Sequence, residues 1–160
     1  MLKLYRSSEV GIEYWEAWDD GSGGHLVHWG KLGTRGETKT LTSSLFKSAL
    51  AKLKQEADAK IEAGFLPVEL EDHAILMIEY CIEGMGSEVD LAKRHTLEDR
   101  LNETLGWTGL GACDGGSIGS GTMEVCNFVV DFDTAKQVIE GDLAGTEFAD
   151  YTRIYLEHAA

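Results

Sequence analysis

A chain of 160 residues, 43% hydrophobic and 26% charged, has room for one domain or two small ones, each with a modest core. No apolar run approaches the roughly 20 residues of a membrane helix, and the N-terminal stretch lacks a signal-peptide core and a small-residue cleavage site, so a cytoplasmic protein with no membrane partner is expected. The formal charge of −14 falls wholly in the second half: residues 1–68 carry nine basic and nine acidic residues, and residues 69–160 carry five and nineteen. This asymmetry predicts two domains, 1–68 and 69–160, and argues against nucleic acid as a partner of the second.

In the first half, "IEYWEAW" (Ile12–Trp18) reads as an aromatic-rich strand that ends at the turn cluster "DDGSGG". "HLVHWGKLG" reads as its hairpin partner and "ETKTL" as a third short strand. Thr42 or Ser43 then offers an N-cap for a long helix. Leu45, Ala49, Leu53, Ala57 and Ile61 recur every four residues with Phe46 and Leu50 beside them, which predicts one apolar face. Gly64, Phe65 and Pro67 read as the stop signal of that helix.

The second half opens with "HAILMIEYCI" (His73–Ile82), a nearly continuous apolar run of the kind expected for a central strand. A helix follows, with Ser87 as its cap and Val89, Leu97, Leu101 and Leu105 partly in helical register. "GLGACDGGSIGSG" (Gly109–Gly121) reads as a mobile connection or a bulged edge, with a short strand near Gly109–Cys113. "TMEVCNFVVDF" is a strand, "DTAKQVIEGDLAG" a short helix capped by Asp133 or Thr134, and "YTRIYLEH" the closing strand. The order βαββαβ predicts a ferredoxin-like α/β sandwich, and the whole chain reads as α+β.

The stretch "HWGKLGTRGETK" (His28–Lys39) spaces Gly30, Gly33 and Gly36 three apart, beside Trp29 and three cations, Lys31, Arg35 and Lys39. Glycine permits a close backbone approach and positive φ. Alternate residues of a strand share a face, so Trp29 and Lys31 are expected to point the same way. Two readings stand. A ring flanked by cations holds a sugar-phosphate chain; equally, Trp29 plugs the core and the lysines are solvated.

Residues 1–66 resemble the WGR domain, a family known from DNA-dependent poly(ADP-ribose) polymerases and from small bacterial proteins. Trp29-Gly30-Lys31-Leu32-Gly33-Thr34 and Gly36 follow its Trp-Gly-Arg-x-Gly-x-x-Gly signature. Tyr14-Trp15 match its aromatic pair, and Ala49, Leu53, Lys60 and Gly64-Phe65 match its helix. The likeness implies a small antiparallel sheet with one long helix. It also implies that Trp29 packs on the sugar at a DNA strand end and that position 31 relays the contact to neighbouring domains. Lys31 stands where the family has arginine; it keeps the charge but lacks the planar fork. No polymerase catalytic domain follows, so ADP-ribosylation is not expected of this chain.

The remaining chemistry-bearing residues assemble no catalytic set. His25 and His28 sit three apart, which on a strand sends them to opposite faces, so they read as rim histidines and not as metal ligands. The glycine stretch lacks the Gly-Lys-Ser/Thr ending of a phosphate loop, and its charged member, Asp114, has the wrong sign. Cys81, Cys113 and Cys126 show no CxxC spacing and read as reduced thiols. Neither His73, His95 nor His158 pairs with Cys113 by spacing, and an acidic neighbourhood opposes a thiolate there. Asp131, Asp133, Glu140 and Asp142 read as a solvated acidic face.

The expectation is a non-enzymatic protein without cofactor or metal. It binds DNA or another polyanion, weakly and without sequence preference, through Trp29, Gly30, Lys31, Arg35 and Lys39. The alternative is a protein-interaction module, its partner a different protein or a second copy.

Overall fold

A computed structural model describes residues 1–157; His158, the last residue of the expected closing strand, lies outside the described residues. The chain divides into two compact units, Met1–Glu69 and Leu70–Ala160. The architecture is mixed α+β, with a four-stranded antiparallel sheet in each unit.

In the first unit, β1 (Leu2–Ser8), β2 (Gly11–Asp19), β3 (His25–Lys31) and β4 (Glu37–Leu41) form a meander in chain order, followed by α1 (Ala49–Glu62). Sequence pattern alone does not place β1. Leu4, Trp15, Ala17 and Val27 form a core with Ala57 and Phe65, and Trp29, Leu41 and Leu53 pack against its margin. Tyr5, Tyr14, Glu16 and His28, on the alternate positions of β1 to β3, are buried as well. Burial on both faces explains why β2 reads as an unbroken aromatic run instead of alternating with polar residues. Beyond α1 the chain returns to β1, where Tyr5 and Leu66 exchange two backbone hydrogen bonds of 2.8 Å.

The start of α1 differs from the expected Thr42 or Ser43. Its N-cap is Ser48, whose hydroxyl accepts from the Ala51 amide at 3.2 Å. Ser43 accepts from the Ala49 amide at 3.0 Å, and the Ser44 amide donates to the Lys47 carbonyl at 2.8 Å. Three serines thus supply local partners that compete with helical bonds across residues 43–48. Leu45 and Phe46 therefore lie outside the helix, 96% and 97% exposed, and Leu50 and Ile61 are exposed too. Of the expected apolar face, Ala49, Leu53 and Ala57 turn inward. The helix ends where the sequence places it. Gly64 has φ +91°, and the Phe65 and Gly64 amides donate to the Lys60 and Ile61 carbonyls at 3.0 Å each.

The second unit begins with a single 3-10 turn, Leu70–Asp72. It continues as β5 (Ala74–Cys81), α2 (Glu88–Gly106), β6 (Gly111–Gly119), β7 (Thr122–Val129), α3 (Phe132–Leu143) and β8 (Arg153–Glu157). The strands lie in the order β6-β7-β5-β8, every neighbouring pair antiparallel. Helix α2 packs on β6 and β7, α3 packs on β5, and the helices touch, so both occupy one face of the sheet. Leu76, Ile78 and Tyr80 meet Met123, Val125 and Val129 on that face, under Leu97, Leu101 and Leu105 of α2 and Ile139 and Leu143 of α3.

Helix α2 starts at Ser87 with a reciprocal capping box. The Ser87 hydroxyl accepts from the Asp90 amide at 3.2 Å, and the Asp90 carboxylate accepts from the Ser87 amide at 2.8 Å. Hydrogen bonds from the Ser87 hydroxyl and amide hold the Asp90 carboxyl below its ordinary range. Val89, in the first turn, is exposed instead of joining the apolar stripe. The cap of α3 is Asp131, two residues before the expected one, and it accepts from the Thr134 amide at 2.9 Å.

The glycine-rich stretch differs from expectation in its bounds. Of the two readings, the bulged edge is the one found, and the strand is longer than the short one expected near Gly109–Cys113: β6 is a nine-residue edge strand with a bulge between Cys113 and Gly115.

Candidate binding surface of the first unit

Strand β3 places His25, Val27, Trp29 and Lys31 on the face that meets α1. Trp29 lies opposite Trp15 and is half-buried, with its ring against the core margin. Lys39 Nζ stands 5.5 Å from the centroid of the Trp29 ring and donates to Glu56 Oε1 at 2.8 Å. The indole is thus neither sealed nor freely displayed, and a cation covers part of it. Lys31 is exposed at the end of β3 on the Trp29 side, and Arg35 is exposed in the turn that follows. The fold brings Trp29 and Lys39 together. Lys31 and Arg35 stand near them in sequence and are not stacked on the ring.

The glycines have a structural explanation. A Cβ on Gly30 would lie 2.8 Å from the Gly36 Cα and 3.1 Å from the Tyr14 hydroxyl. Gly36 has φ +60°, and a Cβ there would collide with the Trp29 carbonyl and the Tyr14 hydroxyl. Residues 32–36 therefore fold flat against β3, which only two facing glycines permit. Leu32 is buried in this turn, and its amide donates to the Ile12 carbonyl at 2.8 Å.

Beneath the turn lies a polar cluster that sequence reasoning misses. His28 is not a rim residue: it is 0% exposed, and Glu16 beside it is 4% exposed. Its Nδ1 is 2.7 Å from Glu16 Oε1, and its Nε2 is 2.6 Å from the Arg35 carbonyl and 2.9 Å from the Tyr14 hydroxyl. A carbonyl only accepts, so Nε2 donates to it. Nδ1 and Glu16 then hold one proton between them. The Tyr14 hydroxyl donates to the Thr34 carbonyl at 2.9 Å, and Lys3 Nζ lies 3.3 Å from Glu16 Oε2. Burial first, and the Glu16 charge second, push the Tyr14 hydroxyl well above its ordinary range, so it stays a neutral donor. Two carbonyls of the turn, Thr34 and Arg35, are thereby clamped to β2 and β3. Buried groups satisfied in this way rigidify a segment. Glu16 and Arg35 are 12 and 7 residues from His28, and no local spacing reveals them.

Elsewhere the chemistry-bearing residues are engaged structurally. Burial pushes the Cys113 thiol up to about 11, with Glu98, Cys126 and Asp114 acting in the same direction, and it raises Cys126 as well. Neither is an activated thiolate. Asp142 accepts from Arg100 Nε at 2.8 Å and from the Thr104 hydroxyl at 3.0 Å, while Asp131 caps α3, so the acidic set is divided between tasks. Among the described residues, no group of three or more His, Cys, Asp or Glu side chains is placed to hold a metal ion, and no helix is long and apolar enough to cross a membrane. Set against known proteins, the chain matches no family model, no curated protein and no solved structure.

Proposed function

We propose that this chain is a non-enzymatic binding protein whose first unit, WGR-like in its motif, contacts DNA or another polyanion weakly and without sequence preference. The observation that carries this reading is the partly open Trp29 ring with Lys39 at its face and Lys31 exposed on the same side of β3. An indole beside cations holds a sugar-phosphate backbone by stacking and charge together. The clamp on Thr34 and Arg35 keeps the adjoining turn in one shape, which lowers the ordering cost of binding. Because residues 1–68 sum to zero charge and the chain carries −14, the affinity is low and strongly salt-dependent. On the same footing, the βαββαβ order and the β6-β7-β5-β8 sheet support a ferredoxin-like reading of unit 2.

Fluorescence anisotropy with a nicked duplex at low and moderate salt tests the polyanion reading. Lys31→Glu with Arg35→Glu is the informative variant, since both side chains are exposed and the fold does not depend on them. The full chain should bind at low salt. The variant should bind less tightly, with a salt slope smaller by about one for each phosphate it no longer neutralises. No binding at the lowest salt removes the reading.

A second reading, protein–protein assembly, is favoured by a separate observation: the exposed Leu45–Phe46 pair in a chain whose second unit carries eighteen acidic residues.

A further inference from the structure

Two surfaces in different units are each apolar at the centre and opposite in charge around it. The first is the turn Ser44–Lys47. Its base is fixed by the Ser44 amide and hydroxyl, both donating to the Lys47 carbonyl, at 2.8 Å and 3.2 Å. The Ala49 amide bonds Ser43 Oγ, and Lys52 Nζ bonds the Thr42 carbonyl at 2.7 Å. On this fixed base, Leu45 and Phe46 stand almost wholly in water. Exposed large apolar pairs of this kind mark contact sites. From Thr38 to Gln55 the chain carries four lysines; Lys39 pairs with Glu56 and Lys54 with Asp58, which leaves Lys47 and Lys52 as the cations beside the tip. The tip is therefore apolar with a basic collar.

The second surface is the face of the β6-β7-β5-β8 sheet turned away from α2 and α3. Cross-strand pairing sets Ile75 beside Phe128, with Met77 between Cys126 and Tyr155, which makes an apolar centre. Glu79, Glu124 and Glu157 share that face with one cation, Arg153, which bonds Glu79 at 2.8 Å and leaves the face net acidic. Ile75 and Phe128 are half-buried, and they lie on the face opposite to the one that α2 and α3 cover.

We propose that a second copy of this chain occupies the sheet face of unit 2, inserting its Leu45–Phe46 tip over Ile75 and Phe128 with Lys47 and Lys52 directed to Glu124 and Glu157. Such a contact joins two different surfaces, so it is heterologous, and each pair keeps one free tip and one free face. An anionic bilayer would attract the same collar, but it repels a chain of charge −14, whereas the sheet face offers the opposite sign. The proposal deepens the assembly reading and uses neither Trp29 nor Arg35, so it can fail while the polyanion reading stands, and the reverse.

Sedimentation velocity on the full chain over a concentration series, at low and moderate salt, tests it. The mean mass should rise with concentration at low salt and fall as salt is added. Leu45→Glu with Phe46→Glu should weaken association roughly a hundredfold while circular dichroism and the melting temperature stay unchanged, since both side chains are directed into water. Glu124→Lys with Glu157→Lys should weaken it too. Mixing the two variants should restore pairs and nothing larger, because each supplies the surface the other lacks. Wild type that remains monomeric throughout, or that associates equally well without the tip, overturns the proposal. Binding to anionic vesicles with no self-association assigns the tip to a membrane and overturns it as well. If the sheet variant loses its fold, the tip variant alone decides.

Discussion

The two glycine-rich stretches, Gly30–Gly36 in the first unit and Gly111–Gly119 in the second, look alike in sequence and serve different ends. In the first, two glycines face each other so that a turn lies flat on β3, over the Tyr14 hydroxyl. In the second, glycines let a helix rest its polar side chains on an edge strand. Arg94 Nη1 donates to the Gly116 carbonyl at 2.9 Å, Asn102 accepts from the Cys113 amide at 3.0 Å, and a Cβ on Gly116 would lie 3.1 Å from both Arg94 Cδ and Glu98 Oε1. Neither stretch needs a ligand to explain its glycines. Spaced glycines report a close approach, and only the partner across the gap says what kind.

Substitutions separate the two roles. Gly36→Ala meets both a positive φ and a collision with the backbone, so it should cost about 3 kcal/mol or more in urea unfolding of the first unit. It should also release the turn, seen as faster exchange of the Leu32 and Thr34 amides, which donate to the Ile12 and Lys31 carbonyls. Gly116→Ala meets the Glu124 carbonyl and the flexible Arg94 stem, and a loss nearer 2 kcal/mol is expected, confined to the second unit. A reversal of that order would show that the turn tolerates a side chain and that the flat packing over Tyr14 is not what fixes it. Tyr14→Phe removes one donor under the turn and should cost about 1–2 kcal/mol by the same measurement. Burial of Cys113, at the bulge of β6, predicts a smaller, chemical effect. With its thiol raised from 9.0 to about 11, Cys113 should alkylate at pH 8 far more slowly than exposed Cys81. The folded state holds that proton more tightly than the unfolded chain, so the thiol's contribution to stability is full below about 9 and fades as pH climbs towards 11.

What could be read in advance was what is local. "ETKTL" became β4 residue for residue, Ser87 became the cap of α2, and Gly64-Phe65 closed α1, because turn chemistry and capping act within a few residues. β1 escaped because no turn or cap signal marks its start and it is held by partners from β2 and Leu66. The start of α1 was obscured by Ser43, Ser44 and Ser48, all competent to cap, of which the last wins once the first two are committed to the turn before it. Of the candidate site, the shared face of Trp29 and Lys31 follows from strand period alone, but the pairing of Lys39 with Glu56 depends on where α1 settles. His28 was invisible for the same reason, since its acceptors are a carboxylate on another strand and a carbonyl in a turn.

The return of Leu66 to Tyr5 has a mechanical consequence. That bridge is antiparallel, so the segments running outward from Tyr5 towards Met1 and from Leu66 towards Glu69 leave it on the same side. Tension applied across the first unit therefore loads its two bridge bonds one after the other, as in a zipper, and does not shear them together. Such a unit yields at low force and lets the sheet behind it remain intact until β1 itself peels from β2.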